Sequence, residues 1–224
     1  MNWSKSIVNR AGVLGCGVAI LAVLAARSAE PVAGESSALK NTVILIIRHA
    51  EKPDSGYDLS PAGYQRADAY PGYFKGLAMD SKPLKLDYVF ATADSKGSHR
   101  PRLTVEPLGK ALGLQVDTRF ANKKFQDLVD EIQTKDHGRH ILICWHHGEI
   151  PNLVRALGAD PDKLLPEGKW PNEVFGWMLE LRYDENGRLI PGETKRINEK
   201  LLPGDSEKQG NPDSLLEKTG ASNN

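Results

Sequence analysis

Two continuous apolar runs predict strands that are buried on both faces. Residues 42–47 read Thr-Val-Ile-Leu-Ile-Ile, and residues 140–145 read His-Ile-Leu-Ile-Cys-Trp. Runs of this kind, without polar alternation, are typical of strands that helices cover on either side. Shorter apolar stretches at residues 87–91 and 114–116 predict two further strands. Residues 174–183 alternate and are followed by Asp-Glu-Asn-Gly, which predicts a strand that leads into a hairpin turn.

Helical patterns separate these strands. Ser60 followed by Pro61 predicts a helix start, because serine caps a first turn and proline fits the first helical position. We expect this helix to end near Tyr70, since proline and glycine follow it. Further helices are predicted at residues 101–112, 125–132 and 151–157.

The alternation of strands and helices predicts a three-layer α/β/α domain with a largely parallel central sheet over residues 42–202. In such folds, ligands bind beyond the carboxyl ends of the strands. The residues that directly follow the buried runs should therefore converge on one site. These are residues 48–49 after the first run, 92–100 after the second strand and 146–147 after the last buried run.

The N-terminal pattern predicts a secretory signal peptide over residues 1–28. Lys5 and Arg10 precede an apolar run at residues 11–26, and small residues follow that run. The run is shorter than the roughly 20 apolar residues that a membrane span needs, although a retained anchor is the alternative interpretation. We therefore expect a secreted, periplasmic or cell-envelope protein, with no stable membrane association once the signal is cleaved.

The remaining composition excludes several classes of partner. Lysine plus arginine and aspartate plus glutamate number 29 each, so no overall field attracts nucleic acid or an anionic membrane. Residues 29–41 are small and polar and predict a linker. Residues 203–224 are polar and rich in Gly, Ser and Asn, which predicts a disordered tail.

Four short segments carry the candidate chemistry. Residues 48–51 read Arg-His-Ala-Glu, and residues 59–67 read Leu-Ser-Pro-Ala-Gly-Tyr-Gln-Arg-Ala. Residues 100–108 read Arg-Pro-Arg-Leu-Thr-Val-Glu-Pro-Leu, and residues 145–151 read Trp-His-His-Gly-Glu-Ile-Pro. In this order they resemble the signature segments of the histidine phosphatase superfamily, of the phosphoglycerate mutase-like, branch 1 type.

The resemblance implies a phosphoglycerate mutase-like fold and a phosphatase in which His49 is transiently phosphorylated. It implies that Arg48 and Arg100 bind the phosphate, with Arg102 as the alternative to Arg100. Guanidinium groups suit this role because they bind phosphate oxygens bidentately and stay charged. The implied substrate is a phosphorylated small molecule or a phosphoprotein, and the reaction needs no metal or other cofactor. The long insertion of phosphoglycerate mutases is absent, which favours hydrolysis over mutase activity.

The second histidine of the family has two candidates. Counting five positions back from Pro151 selects His146, whereas the Trp145 and Gly148 matches of a variant motif select His147. We favour His147 as the catalytic residue and assign His146 to substrate binding. Adjacent residues of a strand face opposite ways, so only one of the two is expected to reach the phosphate.

The general acid for the leaving group is not evident, because the loop after the third strand lacks the family glutamate. Glu51 and Glu149 are the nearest candidates. This gap supports one alternative from another class, a noncatalytic phosphate- or phosphoprotein-binding module. A metal site is the third hypothesis, but adjacent histidines do not readily chelate one ion, and no His-x-x-x-His helix is present.

Overall fold

The computed structural model describes residues 38–205, in which strands and helices alternate over most of the length. In chain order the elements are β1 (Val43–Arg48), α1 (Pro61–Gly76), β2 (Ala78–Met79), β3 (Lys82–Pro83), β4 (Tyr88–Ala91), α2 (Arg100–Leu112), β5 (Val116–Asp117), α3 (Phe125–Thr134), β6 (His140–Trp145), α4 (Ile150–Ala156), α5 (Pro161–Leu164), β7 (Trp177–Arg182) and β8 (Lys195–Asn198). The short strands β2 and β3 form a separate hairpin.

The main sheet has the strand order β5-β4-β6-β1-β7-β8. The first four strands of this order pair in parallel, while β7 is antiparallel to β1 and β8 is antiparallel to β7. The predicted, largely parallel sheet is therefore confirmed. The register of the central pair places Arg48 opposite Trp145, so β1 and β6 end at the same level of the sheet.

Helices cover both faces of the sheet, which explains why β1 has no polar alternation. Ile44 and Ile46 point into an apolar cluster with α3 and α4. Leu45 and Ile47 point into a second cluster with α1 and α2. Each face of the strand is thus buried against a helical layer, and the predicted three-layer architecture is confirmed.

Helix α1 begins as predicted but runs further. The hydroxyl of Ser60 accepts a hydrogen bond from a first-turn backbone N–H at 3.1 Å. The expected end near Tyr70 is wrong, because the helix continues through Pro71 to Gly76. Proline removes one helical hydrogen bond, but the side chains of Tyr70 and Phe74 on either side of it are buried against the sheet. Their burial holds the helix together across the proline.

The packed part of the chain extends past both ends of the segment 42–202. The backbone N–H of Ala38 donates to the carbonyl of Gln133 at 2.9 Å, and Leu39 is buried. At the other end, Asp205 is buried as well. The predicted signal peptide lies outside the described residues, as do most of the predicted linker and tail. None of the helices within residues 38–205 has the length and apolar character needed to cross a membrane.

Candidate active site

The loops that follow β1 and β6 meet beyond the carboxyl end of the sheet, as the strand pattern predicts. The backbone N–H of His49 donates to the carbonyl of Trp145 at 3.0 Å and so extends the pairing of the two strands by one step. The ring centroid of His49 lies 5.2 Å from that of His146 and 6.3 Å from that of His147. Three imidazoles therefore cluster where a parallel sheet presents its ligand site.

His49 is buried and held as one tautomer. Its Nδ1 lies 2.7 Å from the carbonyl oxygen of Ala50. Because a carbonyl can only accept, Nδ1 carries the ring hydrogen, and the lone pair is on Nε2. Burial chiefly, and then the charge of Arg48, lower the pKa of His49 to about 2. The ring is therefore neutral at physiological pH, which is the form that a nucleophile requires.

One edge of the Arg48 guanidinium is fully committed to the protein backbone. Its Nη1 donates to the carbonyls of Pro171, Asn172 and Val174 at 3.2, 2.9 and 3.1 Å. The ring of Phe175 covers the same guanidinium, with its centroid 3.9 Å from Cζ. These contacts fix the plane of the Arg48 guanidinium and pack residues 171–175 against it.

The other edge of the Arg48 guanidinium has spare donor capacity. Its Nη2 contacts the Nδ1 of His147 at 3.3 Å, and its buried Nε has no hydrogen-bond partner within residues 38–205. Burial lowers the pKa of Arg48 to about 9, against the opposing charges of Glu51 and Glu173, so the group stays positive at neutral pH. A buried cation with an unpaired N–H edge fits an anion such as phosphate.

Arg100, the first residue of α2, brings a second guanidinium toward the histidines. Its Nη1 and Nη2 donate to the backbone carbonyls of Gly56, Tyr57 and Gly97 at 3.2 to 3.4 Å. Its Nε is buried and unpartnered among the described residues. Burial chiefly lowers the pKa values of both His49 and His146, and the charge of Arg100 lowers them further.

Arg102 has a different environment from Arg100. Its Nε donates to Asp94 and its Nη1 to Glu106, both at 2.9 Å, in partly exposed salt bridges. The structure thus gives Arg102 carboxylate partners and leaves the charge of Arg100 without a carboxylate at hydrogen-bonding distance. This difference agrees with the motif spacing that selects Arg100.

The two adjacent histidines differ in what occupies their ring nitrogens. His147 Nδ1 accepts from Arg48, and its Nε2 donates to the Oδ1 of Asn172 at 2.7 Å. The imidazole of His146 has no hydrogen-bond partner within the described range and lies closer to His49. Strand alternation does not separate the two side chains, because β6 ends at Trp145 and both histidines follow it. His146 is therefore the ring with free nitrogens.

Both candidate acids are engaged with cations. Glu51 accepts hydrogen bonds from Arg66 at 2.7 to 3.1 Å. Glu149 is bonded to Lys123 and accepts from Asn152 at 3.0 Å. Burial raises the pKa of Glu149, but the bonds from Lys123 and Asn152 outweigh it and lower the net pKa. These partners hold both carboxylates, and none of the contacts places either carboxylate against His49.

No group of three or more His, Cys, Asp or Glu side chains within residues 38–205 is arranged to hold a metal ion.

Comparison with known proteins gives matches to solved structures alone. No family model and no curated protein matches the sequence. The fold is similar to phosphoglycerate mutase from Plasmodium falciparum, with a TM-score of 0.49 and 16% identity over 73% of this chain and 95% of that chain. It is also similar to the protein histidine phosphatase SixA complexed with tungstate, with a TM-score of 0.46 and 15% identity over 70% and 97% of the two chains.

A third similar structure is the alpha-ribazole phosphatase from Shigella flexneri. Its TM-score is 0.48, with 14% identity over 67% of this chain and 95% of that chain. All three scores lie below 0.5, so the functional conclusion rests on the side chains of the site.

Sequence reasoning missed three supporting residues. Thr104 Oγ1 accepts from the backbone N–H of Ala50 at 2.9 Å and donates to the carbonyl of Arg100 at 2.7 Å, so it joins the β1 loop to α2. Its place in the third motif was the available signal. Asn172 and Phe175 lie in an irregular segment before β7, where no periodicity or motif marks a site residue.

Proposed function

We propose that this protein is a histidine phosphatase that hydrolyses a phosphate monoester through a phosphohistidine on His49, without a metal ion. The observation that carries the proposal is the state of His49. Its ring is neutral, its Nδ1 is tied to Ala50, and two guanidinium groups that lack carboxylate partners lie near it. A neutral nucleophile beside two cations that have no carboxylate at hydrogen-bonding distance is the arrangement that attack on a phosphate dianion requires.

The first step transfers the phosphoryl group to the protein. The lone pair on Nε2 of His49 attacks phosphorus, the N–P bond forms, and the ester P–O bond breaks with its electron pair on the leaving oxygen. Arg48 donates to the phosphate from its Nε and Nη2 edge, and Arg100 donates from Nε. These donors stabilise the charge on the equatorial oxygens as the bond order changes.

The second step restores the histidine. Water attacks the phosphorus of the phosphohistidine, an O–P bond forms as the N–P bond breaks, and the electrons of the N–P bond return to Nε2. The two protons of the water remain on the phosphate group, which becomes dihydrogen phosphate. Inorganic phosphate leaves, and the Nδ1–H bond to Ala50 O stays in place throughout. One difficult displacement is divided into two easier ones.

We assign the phosphate-contacting second histidine to His146 on geometric grounds, although the motif variant favours His147. His146 has free ring nitrogens, and burial together with the charge of Arg100 lowers its pKa to about 4, so it acts as a neutral hydrogen-bond donor. His147 is occupied by Arg48 and Asn172 and orients the Arg48 guanidinium.

The leaving group takes its proton from solvent in this proposal, since Glu51 and Glu149 are ion-paired. Leaving groups of low basicity, such as phenolates, therefore react fastest. The N-terminal pattern adds the proposal that the protein is exported and meets a phosphorylated small molecule or phosphoprotein outside the cytoplasm.

The test is turnover of an aryl phosphate by the full chain, with and without EDTA, beside His49→Ala. We expect EDTA-resistant activity that the substitution abolishes. Activity that EDTA removes would contradict the metal-free mechanism. A folded protein that binds tungstate but turns over no aryl phosphate would instead identify a noncatalytic phosphate-binding module.

A further inference from the structure

Arg66 of α1 is bound by two carboxylates that come from distant parts of the chain. Its Nε lies 3.1 and 3.0 Å from the two carboxylate oxygens of Glu51, and its Nη2 lies 2.7 Å from Oε1. Its Nη1 and Nη2 donate to the two oxygens of Asp205 at 3.0 and 2.7 Å. The guanidinium is only 2% exposed. Two bidentate contacts fix its plane, and it fixes the position of Glu51 in turn.

The backbone of Glu51 is held as firmly as its side chain. The N–H of Ser60 donates to the Glu51 carbonyl at 2.9 Å. A Cβ at Gly63 would come within 2.3 Å of that same carbonyl oxygen, so the first turn of α1 rests directly on this backbone. On the other side, the N–H of Ala50 donates to Thr104. The peptide groups before and after the Ala50–Glu51 peptide group are thus both held, and they restrict its rotation from either side.

That peptide group carries the carbonyl that accepts the Nδ1–H of His49. The direction of the carbonyl decides which ring nitrogen keeps the hydrogen and which has the lone pair. Rotation of the peptide plane would remove the acceptor from Nδ1 and release the tautomer.

We propose that Arg66 is a positioning residue for the nucleophile. By binding Glu51 it holds the Ala50–Glu51 peptide in the orientation that keeps Nδ1 of His49 protonated and Nε2 free, and Asp205 locks Arg66 from its other edge. The catalytic part of this inference rests on the proposed phosphatase function, whereas the tautomer part stands on the contacts alone. An ion pair that only stabilises the fold would leave the His49 tautomer unchanged.

The first readout is the tautomer of His49, measured by ¹⁵N NMR on full-length protein with labelled histidine. The native protein is expected to show a single tautomer with hydrogen on Nδ1. In Arg66→Met we expect a mixture of tautomers, or the Nε2–H form. Arg66→Lys and Asp205→Asn should give smaller shifts in the same direction, because each keeps part of the contact set.

The second readout separates catalysis from binding. We expect kcat of Arg66→Met on an aryl phosphate to fall by about 10- to 100-fold, the usual effect of removing a group that orients a reacting side chain. The inhibition constant for tungstate should change by less than about threefold, because Arg48 and Arg100 keep their N–H edges. Arg119→Met is the matched control: Arg119 also bridges two carboxylates, Asp117 and Glu131, but it lies beside β5 at the sheet edge.

An unchanged His49 tautomer in folded Arg66→Met would overturn the inference, whether or not kcat falls. If that variant does not fold, the same result in Arg66→Lys would overturn it. A native protein without turnover whose tautomer still changes in the variants would uphold the positioning role and reject the phosphatase function. An equal loss of kcat in Arg119→Met would show that the effect is general destabilisation and would contradict the proposal.

Discussion

Arg48 and Arg66 are both almost fully buried, at 1% and 2% exposure, yet they have opposite kinds of partner. Arg66 meets the carboxylates of Glu51 and Asp205. Arg48 meets backbone carbonyls, an imidazole nitrogen and an aromatic ring. Burial lowers the pKa of both arginines. In Arg66 the hydrogen bonds to Asp205 and Glu51 outweigh burial and raise the pKa. In Arg48 no such bonds oppose burial, and the pKa falls to about 9.

The partners of the two residues, and not their burial, separate an arginine whose charge is neutralised inside the protein from one whose charge remains available to an anion. A buried cation is stable only when an anion or a full set of hydrogen bonds compensates its lost hydration. Arg66 finds its anions inside the protein. Arg48 is held in place by neutral acceptors, so its charge is available to an anionic substrate.

The largest expected effect is the loss of catalysis in Arg48→Met. Removing a preorganised donor to a transition-state oxyanion lowers the rate by about 100- to 1000-fold, and we expect kcat/KM to fall by at least that much. Tungstate affinity should fall with it. Steady-state kinetics and inhibition constants measure both quantities.

Arg48→Lys is the control for that substitution, because it keeps the charge without the fork and should recover only part of the affinity. Native-like tungstate binding in Arg48→Met would contradict this contrast, since the charge of Arg48 would then have no part in binding an anion.

The second prediction concerns stability at the other arginine. Arg66→Met leaves Glu51 and Asp205 without their cation, and breaking such a buried pair typically costs about 3 to 5 kcal/mol of unfolding free energy. Urea denaturation measures this loss. Arg119→Met removes an arginine whose side chain is 55% exposed and should cost about 1 kcal/mol or less. Equal losses in the two variants would show that burial of the Arg66 network has no energetic consequence.

The third prediction separates the two histidines beside Arg48. His146→Ala removes a ring that faces His49 and should lower kcat about 100-fold, within the range for positioned groups that act in proton transfer or hydrogen bonding. His147→Ala removes a partner of Arg48, so it should weaken tungstate binding more than it lowers kcat. The reverse pattern in steady-state kinetics would return the catalytic role to His147, as the motif variant predicts.

The smallest expected effect is on the pH dependence of stability. It comes from Glu199, a carboxyl near Arg66 that is not bonded to it. Glu199 accepts a hydrogen bond from Tyr70 at 3.1 Å, and burial raises its pKa to about 8 against the opposing charge of Arg66. A carboxyl whose folded pKa is raised contributes stability that is complete below its unfolded pKa and is lost as pH rises through about 8.

Glu199→Gln should therefore show a flatter stability profile between pH 5 and pH 9 than the native protein. The native protein is expected to lose about 1 kcal/mol or more relative to the variant across this interval. Urea unfolding at the two pH values measures the difference. Parallel profiles would mean that Glu199 is ionised in the folded state, and that the positive field of Arg66 extends beyond its two bonded carboxylates.

Two kinds of feature could be predicted from the sequence: strands and helices with a clear hydrophobic periodicity, and site residues that lie within short motifs. The apolar runs predict β1 and β6, the central strands of the sheet. Because these strands are parallel and end at the same edge, the residues that follow them meet, and His49 lies beside the two later histidines. A local signal also marks the start of α1 at Ser60.

The contacts between distant segments could not be predicted. Asp205 comes 139 residues after Arg66, and no local pattern links a short polar segment to a helix arginine. The persistence of α1 through Pro71 depends on burial of its neighbours, which is a tertiary effect. The choice between His146 and His147 depends on which ring Arg48 and Asn172 occupy, and only the folded loop decides that.

The measurement that tests the central claim most directly is the position of the phosphate on the trapped protein. The full chain is mixed with an aryl phosphate, quenched in alkali to preserve phosphoramidates, and mapped by mass spectrometry and ³¹P NMR. We predict phosphate on Nε2 of His49, because Nδ1 is bonded to the carbonyl of Ala50, and no phosphoprotein in His49→Ala. Turnover without a phosphoprotein, or phosphate on Nδ1 of His49 or on His146, would contradict it.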